Sequence, residues 1–212
     1  MKTLIINSHP DFTNKNSFSV AFQETFIQHF KEVFPTQEPT ILNLYDNQIP
    51  AIKKDELLAI WEKQQTQGIL TPEEKYIETL SNTLLEQFKE HHRIVIVTPL
   101  HNFNVESRLK DYLDNILIAK ETFKYTEDGS VGLMTDDYKV LMIQASGSIY
   151  TNKDRYTSLD ISHLFIKGIF QEIMGFDDFY KIRLQGTAIL NSEDIIEKGI
   201  NDLEEVFPLF YS

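Results

Sequence analysis

With no cysteine among its 212 residues, the chain excludes a thiol nucleophile, a Cys-ligated zinc, an iron–sulfur cluster and a disulfide framework. It also has no Gly-x-Ser-x-Gly elbow for a hydrolase. Hydroxyl, amide, imidazole and aromatic groups collect in three loops. The first is Ser8-His9-Pro10-Asp11-Phe12-Thr13-Asn14-Lys15-Asn16-Ser17-Phe18. It lacks both the Gly-x-Gly-x-x-Gly of a dinucleotide loop and the Gly-Lys-Ser/Thr of a P-loop. It leads into a helix, however, and a helix start offers unpaired N–H groups and the positive end of a dipole. Lys15, Asn16 and Ser17 supply a charge and side-chain donors for a phosphate there; the other reading is that Asn16 or Ser17 simply caps the helix.

The second loop is Thr98-Pro99-Leu100-His101-Asn102-Phe103-Asn104. Its backbone amides and Asn102 suit the edge of a heteroaromatic ring, with Leu100 and Phe103 beside it. Alternatively Phe103 tucks into the core. His101 has the chemistry of a general base, but the sequence assigns it no carboxylate, and a solvent-facing histidine is the competing reading. The third loop is Ala145-Ser146-Gly147-Ser148, where a glycine between serines either lets backbone approach a ligand or makes a polar turn.

Elements of alternating type must hold these loops. Leu4-Ile5-Ile6 reads as a buried strand, residues 16–33 as a helix, and 40–44 as a second strand. The helix carries an apolar stripe at Phe18, Phe22, Phe26, Phe30 and Val33. A short helix around 56–63 precedes one that starts at Thr71-Pro72-Glu73-Glu74, a capping-box sequence, and runs to about 89. Ile94-Val95-Ile96-Val97 is β-branched without alternation, as in a strand covered on both faces. A helix over 106–119, a loop over 121–136, a strand over 139–143, a helix over 158–174, a strand over 179–184 and a helix over 192–205 capped by Ser192 complete the chain. Strands separated by helices imply a parallel sheet with helices on both faces. Right-handed winding leaves the flavodoxin-like order 2-1-3-4-5 or half of a Rossmann fold. The chain reads as a single domain, residues 1–212. Ligands of such sheets bind at the carboxyl ends of the strands at the switch point, which places the first two loops together.

Composition narrows the partners. Twenty Lys+Arg against 32 Asp+Glu give a net charge of −12, which repels a phosphate backbone, so no nucleic-acid partner is expected. No apolar run nears a membrane span and the N-terminal apolar stretch is too short for a secretory signal; a cytoplasmic protein is expected.

Taken together, the loops resemble those of a known family. His9-Pro10 with Asn16-Ser17-Phe18 resembles the first loop of flavodoxin-fold NAD(P)H:quinone oxidoreductases. Thr98-Pro99-Leu100-His101-Asn102-Phe103 is similar to the flavin-ring loop, Pro-Met-Tyr/Trp-Asn-Phe/Leu, of bacterial FMN-dependent NADH azoreductases. Thr122-Phe123-Lys124-Tyr125-Thr126-Glu127-Asp128-Gly129 with Gly132-Leu133 resembles a further stretch of that family, as do Ile49-Pro50, Leu70-Thr71-Pro72 and Met174-Gly175-Phe176. The resemblance implies a flavodoxin-like three-layer sandwich that binds FMN through His9, Lys15, Asn16, Ser17, Phe18, Pro99, Leu100, His101, Asn102, Phe103, Ala145, Ser146, Gly147 and Ser148. It implies NADH or NADPH as donor and a quinone or azo compound as acceptor, both reacting in turn at the flavin, with Phe123 and Tyr125 covering the substrate. It also implies a homodimer with sites at its interface. Leu109, Tyr112, Leu113 and Ile116 lie close to Phe123 and Tyr125 in sequence; some must cover the sheet, and the aromatics beyond either serve a partner or complete the monomer core. Two departures stand out. The family's Ser-Arg-Gly-Gly is Ala145-Ser146-Gly147-Ser148 here, and His101 replaces a Tyr or Trp. A flavodoxin-like electron carrier and a flavin-binding regulatory subunit are the rival functions.

Overall fold

The computed structural model describes residues 2–212. Its central sheet has five parallel strands: β1 (Thr3–Asn7), β2 (Thr40–Asn43), β3 (Arg93–Pro99), β6 (Lys139–Ser146) and β7 (Asp178–Gln185), in the order β2-β1-β3-β6-β7. A separate antiparallel hairpin, β4 (Phe123–Thr126) with β5 (Gly129–Gly132), lies outside this sheet. Numbered without the hairpin, the order is 2-1-3-4-5, the flavodoxin-like winding and not the Rossmann half.

Alternate residues of the buried strands enter two cores, one on each face. Leu4, Ile6, Ile94, Ile96, Val140 and Met142 pack against α3 (Pro72–Lys89), α4 (Ser107–Ile116) and the helical segment around α5 (Ser162–Lys167). Ile5, Val95, Val97, Leu141 and Ile143 pack against α1 (Phe18–Val33) and α6 (Ser192–Tyr211). The short α2 (Leu57–Gln65) leans on α3. Phe22, Phe26 and Phe30 of α1 are fully buried, each contributing roughly 1.5–3 kcal/mol by leaving water. Val33 does not belong to that stripe: it is exposed, and Phe34 continues the aromatic line, its ring 5.1 Å from that of Phe30. The Thr71 capping box forms as read, with Thr71 Oγ1 accepting from Glu74 N–H and Glu74 Oε2 accepting from Thr71 N–H.

Three elements differ from the sequence reading. The stretch 121–136 contains the β4–β5 hairpin, closed by a two-residue loop before Gly129, whose φ of 137° suits glycine. The helix expected over 158–174 is broken into a single 3₁₀ turn, α5 and a π-helical stretch, Gly168–Ile173. The last helix is capped by Asn191, whose side chain accepts from Glu193 N–H, and it continues past 205 through Pro208 to Tyr211. Two side chains hold that far end. Lys139 donates to the backbone oxygens of Leu209 and Ser212, and the fully buried Arg93 donates to Ser212 and to both carboxylate oxygens of Asp137. Cations there satisfy carbonyls the helix leaves open and suit its negative dipole end.

Candidate functional site

Parallel pairing with Asn7 beside Val97 and Pro99 beside Ala145 ends β1, β3 and β6 at one edge of the sheet. The loops that follow close a hollow of about 250 Å³, lined by Ser17, Phe18, Pro99, Leu100, His101, Ala145, Ser146, Gly147 and Thr187. All three sequence-read loops contribute to it. His9, Lys15, Asn16, Asn102, Phe103 and Ser148 stand outside its wall. A larger hollow of about 1030 Å³ lies at the other end of the sheet, beside Thr3 and Thr40 at the strand starts, among charged side chains. That end is the wrong one for a doubly wound sheet.

At the first loop, Ser17 occupies the N-cap of α1 in extended conformation, yet its hydroxyl makes no capping bond; it lies 3.4 Å from Ser19 Oγ. The first-turn N–H groups of Phe18, Ser19 and Val20 are those a helix leaves without an internal partner. An uncapped helix start lining a pocket is a donor set for an anion. His9 is fixed by Asn7, which accepts from its N–H, while Nδ1 of His9 accepts from Asp11 N–H. Burial lowers the His9 pKa, and nearby His101 lowers it further.

The second loop is a tight turn. Asn104 N–H donates to His101 O at 3.0 Å, and the two residues between them, Asn102 (φ 47°) and Phe103 (φ 69°), are both left-handed. Two such residues in succession mark a type I′ geometry that side-chain-bearing residues adopt at a cost, and such strain clusters at ligand sites. Phe103 does not enter the core. It is exposed, edge-on to Tyr150 at 6.4 Å. Leu100 N–H donates to Ala145 O at 2.7 Å and ties this loop to the third. There Ser146 donates its hydroxyl to Ser148 O, while Thr187 and Ala188 N–H groups hold the carbonyls of Ser146 and Gly147. The Ser146 hydroxyl is thus spent on the turn, leaving the backbone of Ala145, Ser146 and Gly147 at the wall of the hollow.

Two site residues escaped the sequence reading. Thr187 follows β7, and the rule that ligands sit at strand ends, applied to the last strand, finds it. Glu106 was read only as a helix start. Its side chain is 2% exposed, and its Oε2 accepts from Ser8 Oγ at 2.8 Å and Thr98 Oγ1 at 2.9 Å. Its Oε1 receives no hydrogen bond and lies 3.7 Å from His101 Nδ1, so His101 does have a carboxylate neighbour. Burial raises the Glu106 pKa to about 7, against the pull of the two hydroxyls. The available signal was a glutamate in the N-cap place, where shorter side chains are usual.

Phe123 and Tyr125 part company. Phe123 is buried, like Leu109, Tyr112, Leu113 and Ile116, which finish the monomer core; Tyr125 is 76% exposed, its ring edge-on to Phe123.

The donor set fits FMN. The uncapped start of α1 suits a phosphate, and the strained, exposed backbone of 101–104 with Phe103 suits a flat polar ring. Known proteins agree in kind. Residues 1–207 match the model of a family described as having a flavodoxin-like fold. The chain is 52% identical over 212 residues to an FMN-dependent NADH:quinone oxidoreductase of Streptococcus agalactiae, covering 100% of this chain and 99% of that one. It is equally similar, at 52% and 99% of each chain, to FMN-dependent NADH:quinone oxidoreductase 1 of Lactiplantibacillus plantarum. A crystal structure of an FMN-dependent NADH-azoreductase from Bacillus anthracis in complex with FMN superposes with a TM-score of 0.92 at 45% identity, covering 97% of this chain and 96% of that one.

Proposed function

Because this chain belongs to the family of flavodoxin-like, FMN-dependent NADH:quinone oxidoreductases, we propose that it reduces quinones or azo compounds with NADH, using FMN held by the three strand-end loops. The carrying observation is the hollow where an uncapped helix start and a strained turn meet. When bound, the flavin supplies two-electron transfer between nicotinamide and acceptor.

The protein's own residues bind and orient. Phe18, Ser19 and Val20 N–H groups, with Ser17 and Lys15, hold the phosphate. Asn16, Phe18 and His9 shape that loop. The backbone N–H groups of His101 and Asn102 would meet the ring edge, with Pro99 and Leu100 beside them, Phe103 would flank the ring, and Ala145, Ser146, Gly147, Ser148 and Thr187 would close the site. Backbone donors fixed in advance stabilise negative charge as it develops at a ring edge. Tyr125 covers the substrate; Phe123 buttresses it from the core.

Its exposure suits completion of the site by a second copy, so the active form is a homodimer. The described residues include no helix long and apolar enough to cross a membrane, and dependence on NADH suits a cytoplasmic setting. A yellow purified protein that releases FMN, not FAD, and oxidises NADH steadily when a quinone is added would support this reading. Flavin binding without turnover would favour an electron carrier.

A further inference from the structure

Glu106 is a buried acid that holding the cofactor leaves idle. One carboxylate oxygen is occupied by Ser8 and Thr98; the other is sealed from solvent, unbonded, and turned toward His101 at 3.7 Å. The His101 side chain is 54% exposed and lines the hollow. A path therefore runs from a buried carboxyl, through an imidazole, to the hollow assigned to the flavin. The gap exceeds a hydrogen bond, as catalytic pairs often do before their ligand is bound.

We propose that Glu106 and His101 form a proton relay for the acceptor. This rests on the oxidoreductase reading and assigns the source of one proton. Reducing a quinone to a hydroquinone adds two electrons and two protons. NADH supplies both electrons and one proton as hydride. His101 supplies the other: its Nε2–H bond breaks as an O–H bond forms on the acceptor while the Glu106 carboxyl gives its proton to Nδ1, and the pair resets when the exposed imidazole takes a proton from water at Nε2 and returns the Nδ1 proton to Glu106. His101 is the catalytic residue of this step and Glu106 acts through it.

The neighbours leave Glu106 free to exchange a proton. Ser8 faces it from the loop after β1, Tyr45 from the loop after β2, and Thr98 and His101 from β3 and its loop. Arg108 turns its guanidinium to the carbonyls of Leu44, Asn47 and Ile49, so it does not lock Glu106 as a carboxylate. Burial brings Glu106 to about 7, near the value that suits a proton donor at neutral pH.

The first test needs no turnover. Infrared difference spectra of the wild-type protein, titrated through neutrality, should show a protonated-carboxyl band that disappears with rising pH and is missing in Glu106→Gln. The second uses the FMN-loaded enzyme in stopped flow, with NADH reduction and quinone reoxidation read separately. Reoxidation in Glu106→Gln should slow by at least about tenfold and lose its pH dependence between about pH 6 and pH 8. His101→Ala should slow likewise and recover with added imidazole. A carboxyl band that does not titrate, or reoxidation with wild-type rate and pH profile in both variants, overturns the relay. Absence of NADH-dependent flavin reduction in the wild type would instead defeat the oxidoreductase reading.

Discussion

Ser17 holds a capping position without capping, and this separates its two sequence readings. If the hydroxyl serves a phosphate, Ser17→Ala weakens FMN binding by about 1–2 kcal/mol. Because no cap bond is lost, stability without cofactor should change by less than about 0.5 kcal/mol, well under the cost of removing a working cap. Titration calorimetry and urea melts on the same preparation check both; a large loss of stability with unchanged FMN affinity would restore the cap. Glu106 gives a second outcome. Its pKa in the fold is raised from 4.5 to about 7 by burial, so between those values the folded state holds more protons than the unfolded chain. The stability this acid contributes is full below about 4.5 and is lost as pH rises through about 7, by about 3 kcal/mol in order of magnitude. Glu106→Gln lacks that loss, and its stability relative to wild type should rise between about pH 5 and pH 8 in urea melts. An equal difference at both pH values would contradict it. At this scale the loops were legible because hydroxyl and amide residues cluster in sequence. The His101–Glu106 contact was not, because it is made across a turn whose handedness no residue type dictates.

Elements were legible where periodicity is unbroken and obscure where packing overrides propensity. The strand 94–97 and the Thr71 cap could be read directly. The hairpin was not, although Asp128-Gly129 between Phe123, Tyr125 and Val131 carries a turn signal; strands of four residues rarely declare themselves alone. What fixes the hairpin lies far along the chain. A Cβ at Gly132 would come within 2.3 Å of the Met174 carbonyl carbon and 2.4 Å of Gly175 N, while Met134 N–H donates to Met174 O. Backbone cannot yield there as a side-chain tip can. Gly132→Ala should therefore cost about 2–3 kcal/mol and expose 123–132 to limited proteolysis. Wild-type melting and digestion would show that the contact is loose. The same packing explains the broken helix, where Phe170 and Phe176 meet at 5.0 Å and Phe176 N–H returns to Phe170 O.

The whole-molecule order 2-1-3-4-5 followed from strand count, helix alternation and right-handed crossovers, rules that leave little choice. Oligomeric state is different, since it depends on what covers the outside. Tyr125, Leu164 and Ile189 are each more than half exposed, and the dimer proposed here uses Tyr125 to complete a partner's site. Light scattering should give a mass near twice 24.7 kDa at micromolar concentration. A monomer that turns over at full rate would assign Tyr125 to the open surface.

The anchoring of α6 has its own consequence. The last turn of a helix ordinarily frays, and its amides trade protons for deuterium long before the rest of the fold opens. Here Arg93 and Lys139, at the starts of two central strands, grip the backbone oxygens of Leu209 and Ser212, and Phe207, Phe210 and Tyr211 wedge that turn against its neighbours. Opening the final turn would remove one acceptor from the buried Arg93 guanidinium and three from the Lys139 ammonium. The tail of the chain should therefore exchange in step with the middle of the sheet, as part of its slowest cooperative unit.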